Sequence, residues 1–411
     1  MTPAARLQMA IEILEGLDKT AQPTDRFLKS WFRIRRFAGS KDRREIANRV
    51  FAVQRTRAAL AHRMGSETPR ALVIAALAEA GEDIPALFTG GGYGPEPLSD
   101  AERAAIAATP VLAPLWVRGE FPQFLQSQLT RAFGDRLLDE MVALQSRAPA
   151  DLRVNTLKAR RDEVIAALNA DGVLCAATPY APHGIRIGSD TTNLSKSALF
   201  ESGAFEFQDE AAQIASELCA AQPGMRVLDL AAGAGGKSLA FAASMQNQGE
   251  IVACDLRGEA LFELEKRAAR AGATIIKTLP LDHAQPSGLF DMVLVDAPCT
   301  GSGTWRRQPE LRWRLTPERI AYLVAVQDRL LDQAAALVRP GGRLFYATCS
   351  ILGCENQDRI AAFQARHLGF APLNLAENWP ENPPPGLAED FRASPATTGT
   401  DGFYCAGLVK I

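Results

Sequence analysis

The chain has 411 residues, more than a single hydrophobic core usually fills, so two or three domains are expected, one of them large enough for a complete α/β sheet. Its 47% hydrophobic and 22% charged residues are ordinary for a globular protein, and no apolar run approaches the roughly 20 residues that span a bilayer. A net charge of -2 excludes a global electrostatic affinity for nucleic acid, so any such affinity must come from a local patch.

The opening residues lead into an amphipathic stretch broken by Glu12, Glu15 and Asp18, unlike a signal peptide, and a cytoplasmic protein without a membrane partner is expected. Over residues 1–63 there are 14 Lys and Arg against 6 acids, a net +8. Ile11, Leu14 and Leu17, then Val50, Phe51, Val53 and Leu60, recur at roughly helical spacing, which predicts helices with arginines on their outer faces. Such a surface is either a solvated helical face or an attractor of RNA phosphates. Pro85, four glycines, Pro95 and Pro97 make residues 84–99 a loop, and helical patterning resumes from Ala101 to about Gln145. We therefore divide the chain into a helical domain over 1–145, a small α+β connecting piece over 146–205, and a catalytic domain over 206–411. The middle piece rests on Leu152–Asn155, a helix near Arg161–Ala170, and Gly184–Ile187.

From about Phe207 strands alternate with helices. The expected strands are Arg226–Leu230, Glu250–Cys254, Ala273–Lys277, Met292–Val295 and Arg343–Ala347, with helices over 237–245 and 258–271 and another opening at Thr316-Pro317 and ending before Pro340. Gly402 to Lys410 is expected as a last edge strand. This is the rhythm of a doubly wound α/β sheet, whose ligands bind outside the carboxyl ends of the strands.

The chemistry-bearing residues fall at those ends. The first strand runs into Asp229-Leu-Ala231-Ala232-Gly233-Ala234-Gly235-Gly236-Lys237-Ser238, whose glycines let the backbone approach a nucleotide-like ligand. Gly236-Lys237-Ser238 and the strand ending at Asp296 also resemble parts of a P-loop NTPase, but the P-loop needs a glycine where this chain has Ala231. Asp255, closing the second strand, suits two ribose hydroxyls. Asp296-Ala-Pro298-Cys299 follows the fourth strand and Thr348-Cys349-Ser350 the fifth; if those strands are neighbours, an acid and two thiols share one mouth. A pyrimidine's carbon 5 accepts a methyl group once a thiolate has added to carbon 6 and an acid relieves the charge at N3. That chemistry leaves open which of Cys299 and Cys349 attacks. The seven cysteines are odd in number and include no CxxC pair, so free thiols and no metal are expected, with Cys175, Cys219, Cys254 and Cys405 as small core residues.

These motifs, together with Arg153-Val-Asn155-Thr, Phe207-Gln208-Asp209-Glu210, Asp282, Arg306-Arg307-Gln-Pro309, Glu355-Asn356 and Asp401-Gly402-Phe403, resemble the RsmB/Nop (Sun, NSUN) family of RNA cytosine-C5 methyltransferases over about residues 145–411. The resemblance implies a class I, Rossmann-like fold and S-adenosyl-L-methionine as cofactor. It makes Cys349 the nucleophile and Cys299 the thiol that assists product release, with Asp296 facing the base. It also places Ala231, Ala232, Gly233, Ala234, Gly235, Gly236, Lys237, Asp255, Asp282 and Asp296 around the cofactor. The run Asn48–Arg55 within the Arg-rich helices looks like the NusB-type RNA-binding domain of the bacterial members, which points to 16S rRNA as partner and to no obligate protein partner. The same chemistry on tRNA or another rRNA site, a P-loop NTPase, and a non-catalytic RNA-binding assembly factor are the alternatives. Two positions depart from the family's pattern: the turn commonly reads Cys-Ala-Ala-Pro-Gly-Gly-Lys, and a Pro commonly stands at the position of Gly353.

Overall fold

The computed structural model describes residues 1–109, 111–188, 194–379 and 382–411. The chain forms two compact units, one of Met1–Ser146 with Trp305–Leu315, the other of Arg147–Thr304 with Thr316–Ile411. The small piece expected as a connector therefore packs within the second unit, and an eleven-residue stretch after the Cys299 segment belongs to the first.

The first unit is helical. Helices Pro3–Leu17, Thr24–Ile34, Ser40–Arg55, Arg57–Met64 and Pro69–Glu79 bury Leu7, Ile11, Leu14, Val50, Val53, Leu60 and Leu72 in one core. Two of them start on a threonine cap followed by proline: the Thr2 hydroxyl accepts from Ala5 N–H at 3.2 Å, and Thr68 does the same for Ala71. Beyond the loop, the continuous helix-like pattern resolves into short helices, Asp100–Ala107, Leu115–Arg118, Gln126–Phe133 and Leu137–Ala143, because Pro114, Pro122 and Gly134 interrupt it. The fully buried Arg312 donates to the carbonyls of Glu120 (2.9 Å) and Leu144 (3.3 Å). The Glu120 carboxylate takes the first amides of a helix, Ala58 and Ala59 N–H, both at 2.8 Å.

In the second unit, strands β1 (Ala150–Val154), β2 (Cys175–Ala177), β3 (Gly184–Ile187) and β4 (Phe205–Phe207) form an antiparallel sheet in the order β2-β3-β1-β4. The helix Arg161–Ala170 joins its core through Val164 and Leu168. The larger sheet contains β5 (Arg226–Asp229), β6 (Glu250–Asp255), β7 (Ile276–Pro280), β8 (Phe290–Asp296), β9 (Val338–Thr348), β10 (Phe370–Leu373), β11 (Phe391–Ala393) and β12 (Phe403–Lys410). Its order is β10-β12-β9-β8-β5-β6-β7, with β5 to β9 parallel and β12 antiparallel. Successive residues of β8 face opposite cores: Met292 and Leu294 pack with Leu239, Leu261 and Leu264, whereas Val293 and Val295 pack with Leu331, Ala334 and Phe363.

Three expected strands change. The third starts at Ile276 rather than Ala273, because Gly272 ends the preceding helix in the left-handed region and Ala273 N–H still bonds to Ala268 O. The fifth starts at Val338, where the helix Pro317–Leu337 ends, and runs through Pro340-Gly341-Gly342, with an irregularity opposite Phe290 and Met292. The last strand, β12, is not at the edge: β9 lies on one side, and β10 and β11 pair with successive parts of the other.

Candidate active site

At the carboxyl ends of β5, β6, β8 and β9 lies a cavity of about 710 Å³. One wall is the turn Leu230–Ala234 with Gly236; a second is Asp255, Leu256 and Arg257; a third is Asp296, Ala297, Pro298, Cys299 and Cys349; and Arg319, Leu323, Val326 and Leu330 complete it. Polar groups on an apolar surface of this size suit a nucleoside-like molecule.

The turn is shaped by two glycines in the left-handed region, Gly233 at φ 56° and Gly235 at φ 80°. At Gly235 a side chain is also excluded by space, since a Cβ would stand 1.9 Å from Leu264. Gly233 N–H donates to Asp255 Oδ2 at 2.8 Å, linking the turn after β5 to the end of β6. Burial pushes the Asp255 pKa up, but the Arg257 side chain, the Arg257 amide and the Gly233 amide more than reverse this, so the carboxyl lies below its ordinary range and is ionised.

Lys237 is buried and points to the third wall, its Nζ 2.5 Å from Asp296 Oδ2 and 5.0 Å from the Phe403 ring centroid. Burial lowers its pKa, but Asp296, by charge and hydrogen bond, and then Asp229 and Cys349 outweigh burial and raise it. Lys237 is an ammonium whose partner is the acid facing the cavity.

The register of β8 on β9 puts Asp296 beside Ala347, so the two chains leave the sheet together. The sulfurs of Cys299 and Cys349 meet at 3.5 Å. The Cys349 contact, burial and the charges of Cys349 and Glu355 push the Cys299 thiol well above its ordinary pKa. The neighbouring loops are fastened by Glu355, whose carboxylate accepts from Thr300 and Ser350, and by Asn356, which accepts from Thr348 Oγ1 at 2.6 Å and donates to Ser350 O at 2.9 Å.

The structure thus brings together the turn residues, Asp255, Asp296, Cys299 and Cys349. Gly235 and Lys237 stand behind the cavity rather than on it. Asp282 is not among the lining residues; its exposed carboxylate lies 3.7 Å from His283, and Leu281 takes the place on the wall. Arg319, Leu323, Val326 and Leu330 were not anticipated, and only the one-sided pattern of their helix could have signalled them. The same is true of Gln327, buried on that helix, which donates to Pro298 O at 2.9 Å. All seven cysteines are free thiols. Among the described residues no helix is long and apolar enough to cross a membrane.

In the helical unit the basic surface is narrower than its composition suggests. Arg6 pairs with Asp42 and Glu45, Arg49 with Glu82, and Arg57 with Asp18. The exposed cations concentrate at Arg26, Lys29, Arg33, Arg36, Lys41 and Arg44, beside exposed Ile34 and Phe37, and Arg35 stacks 3.9 Å over Trp31.

Comparison with known proteins identifies the family. Residues 217–409 match the family model described as 16S rRNA methyltransferase RsmB/F, and residues 121–192 match that of the RsmF/B-like ferredoxin-like domain. The probable ribosomal RNA small subunit methyltransferase B of Synechocystis sp. is 33% identical over 306 residues, which are 71% of this chain and 67% of that protein. The ribosomal RNA small subunit methyltransferase B of Pseudomonas syringae pv. tomato is 33% identical over 301 residues, 72% of this chain and 67% of that protein. Among solved structures, that of PH0851 is similar over 100% of this chain and 99% of its own, with a TM-score of 0.80 and 27% identity. A methyltransferase homolog protein from Pyrococcus horikoshii is similar over 73% of this chain and 100% of its own, with a TM-score of 0.63 and 26% identity. The family model and these relatives agree, and the protein belongs to the family described as 16S rRNA methyltransferase RsmB/F.

Proposed function

We propose that this protein methylates carbon 5 of a cytosine in 16S rRNA through a covalent bond between Cys349 and carbon 6 of the base. The observation that carries this reading is the meeting of Cys299 and Cys349 at 3.5 Å on the same cavity wall as Asp296.

As an RsmB/F methyltransferase the enzyme uses S-adenosyl-L-methionine, which supplies an electrophilic methyl group. The residues present fit that molecule: the ionised Asp255 suits the ribose hydroxyls, the turn Ala231–Ala234 with Gly236 offers backbone at close approach, and Leu230, Leu256, Leu281 and Leu330 offer apolar surface. Gly235 and Lys237 support that wall from behind, and Asp282, which the resemblance assigns to the cofactor, follows the lining residue Leu281. Lys237 is committed to Asp296, which leaves it no phosphate-holding role of the P-loop kind.

The division of labour is the one the resemblance implies, with Cys349 as the thiolate that attacks carbon 6 and Cys299 as the thiol beside it; at 3.5 Å one sulfur can donate its S–H to the other. Asp296, with one oxygen fixed by Lys237, keeps the other to carry a proton shared with N3 of the base, and transfer of that proton to N3 neutralises the charge that addition creates. Loss of the carbon 5 proton and departure of Cys349 complete the turnover, and Cys299 lies beside the breaking bond.

The helical unit is the NusB-like RNA holder in this reading. Its exposed arginines and lysines grip phosphates without reading sequence, and the target cytosine leaves its stack to enter the cavity.

The test is a denaturing gel of the Cys299→Ala variant with unmodified 16S rRNA and S-adenosyl-L-methionine. A covalent protein–RNA band is expected, and it should vanish when Cys349→Ala is added. A band that survives the second change would overturn the assignment of the thiols. If there is no band, and the wild type transfers no labelled methyl group to this RNA, the 16S rRNA reading falls.

A further inference from the structure

We propose that Glu355 is a positioning residue which holds the two thiols against each other by tying the Cys299 loop to the Cys349 loop. This inference rests on the reading of Cys349 as nucleophile and Cys299 as its partner.

The sheet alone does not set the distance between the sulfurs. The β8–β9 pairing ends at Asp296 and Ala347, followed by one further bond, Ala297 N–H to Ala347 O at 2.8 Å, and both cysteines lie beyond it. Beyond it the loops touch through Gly303 N–H to Cys349 O at 2.9 Å and through Ser302 Oγ, which meets Ser350 Oγ and accepts from Ile351 N–H, both at 3.0 Å; the residues directly after the two thiols share one fully buried carboxylate. Glu355 Oε1 accepts from Thr300 N–H at 2.9 Å and from Gln327 Nε2 at 3.1 Å; Oε2 accepts from Thr300 Oγ1 and Ser350 Oγ, both at 2.5 Å. Thr300 follows Cys299 and Ser350 follows Cys349, so the residue after each thiol is fastened to the same group. Gln327 also donates to Pro298 O, which brackets Cys299 from its other side. Glu355 is itself held by Tyr346 of β9, whose hydroxyl donates to Glu355 O at 2.6 Å. Every bond to the carboxylate comes from an N–H or O–H. A glutamine can keep its oxygen on Thr300 N–H and Gln327 but presents an NH₂ to Thr300 Oγ1 and Ser350 Oγ, which already accept from Ser302 and Leu352 N–H and must reverse to accept again, so that side of the tie weakens.

The experiment measures thiol proximity independently of RNA. Diamide oxidises two thiols to one disulfide while it is reduced to the hydrazine, and the Cys299–Cys349 cross-link is followed by peptide mass in the full chain. Glu355→Gln is expected to cross-link about tenfold more slowly than wild type and to lose about a hundredfold in kcat, with KM for S-adenosyl-L-methionine within about threefold. Thr300→Val and Ser350→Ala each remove one hydroxyl bond to the carboxylate, the first leaving the backbone bond of residue 300, and should show smaller losses of the same kind, which keeps the inference testable if Glu355→Gln does not fold. A folded Glu355→Gln, or the two single-arm variants, with cross-linking and kcat within about twofold of wild type would overturn it. Slower cross-linking in a protein whose wild type methylates no cytosine would leave the positioning role standing and remove the C5 reading instead.

Discussion

Asp229 offers a test of how the site's charges are held, because it has almost no access to water and one of its oxygens has no partner among the described residues. It ends β5, its Oδ2 accepts from Ser238 Oγ at 2.6 Å, and Oδ1 is the unpartnered oxygen. Burial pushes its pKa from the ordinary value of 3.8 up to about 7, against the pull of Ser238 and Lys237 and with a further push from Asp296 and Asp255. Between these values the folded protein keeps a proton that the unfolded chain has released, so stability falls as pH rises from about 4 to about 7 and is level above that. The whole shift corresponds to about 4 kcal/mol as an upper bound, of which about 3 kcal/mol lies above pH 5. Asp229→Asn removes the titration while its amide oxygen keeps the Ser238 bond, and it leaves one unpartnered polar atom where the wild type already has one. The expected result is that, from pH 5 to pH 8.5, wild type loses about 3 kcal/mol relative to the variant in urea unfolding followed by circular dichroism. Comparing the two proteins cancels every other titrating group. Parallel responses, within about 0.5 kcal/mol, would show that Asp229 is not protonated in the fold and that water or a partner reaches Oδ1.

Lys237→Met keeps the volume of the buried side chain and leaves Asp296 without its ammonium; kcat for methyl transfer should fall about 10²–10³-fold, and a single-turnover assay with saturating cofactor showing less than about a threefold loss would contradict the pairing. Gly203 sits at φ 77° with a Cβ position 2.1 Å from the Arg270 carbonyl, so Gly203→Ala should cost about 3 kcal/mol or more; an unchanged urea midpoint would show that the chain can move aside.

The legible part of this protein was the part that repeats. β5, β6, β8 and β9 each carry a buried apolar run that leads into a chemical residue, and the rule that ligands bind at carboxyl ends brings Asp255, Asp296, Cys299 and Cys349 to one mouth once β8 and β9 are neighbours, as they are. Elements that depend on partners distant in sequence were not legible. β10 and β11 are four and three residues long and have little pattern of their own; they exist because β12 offers them a ladder, which is also why β12 is interior rather than the expected edge. Asp282 is assigned by resemblance alone; in the structure its neighbour Leu281 lies on the wall. Glu355 and Gln327 illustrate a third limit. A buried glutamate or glutamine looks in sequence like any surface polar residue, and only the convergence of Thr300, Ser350 and Pro298 on them reveals that they shape the site.

The same convergence bears on the departures in the turn after β5. A proline at position 234 would stiffen the backbone by fixing φ and would restrict the residue before it to extended conformations. In this chain position 233 is a glycine at φ 56°, a conformation that such a restriction disfavours, so Gly233 and the absence of proline at 234 belong together as one local solution. The stiffness comes instead from side chains of other elements. Arg267 donates to Ala234 O at 2.6 Å, Arg153 of β1 donates to Gly236 O at 2.5 Å, and Asp255 receives Gly233 N–H. Three partners spaced along four residues hold carbonyls and an amide in place from outside the turn. Arg153 is buried, and burial lowers its pKa to about 10, so it remains cationic at neutral pH and its bond to the Gly236 carbonyl is charge-assisted. Loss of proline at this turn is thus compatible with a fixed cofactor wall, because the constraint has moved from the backbone torsion to hydrogen bonds reaching it from β1, β6 and the helix Gly258–Ala271.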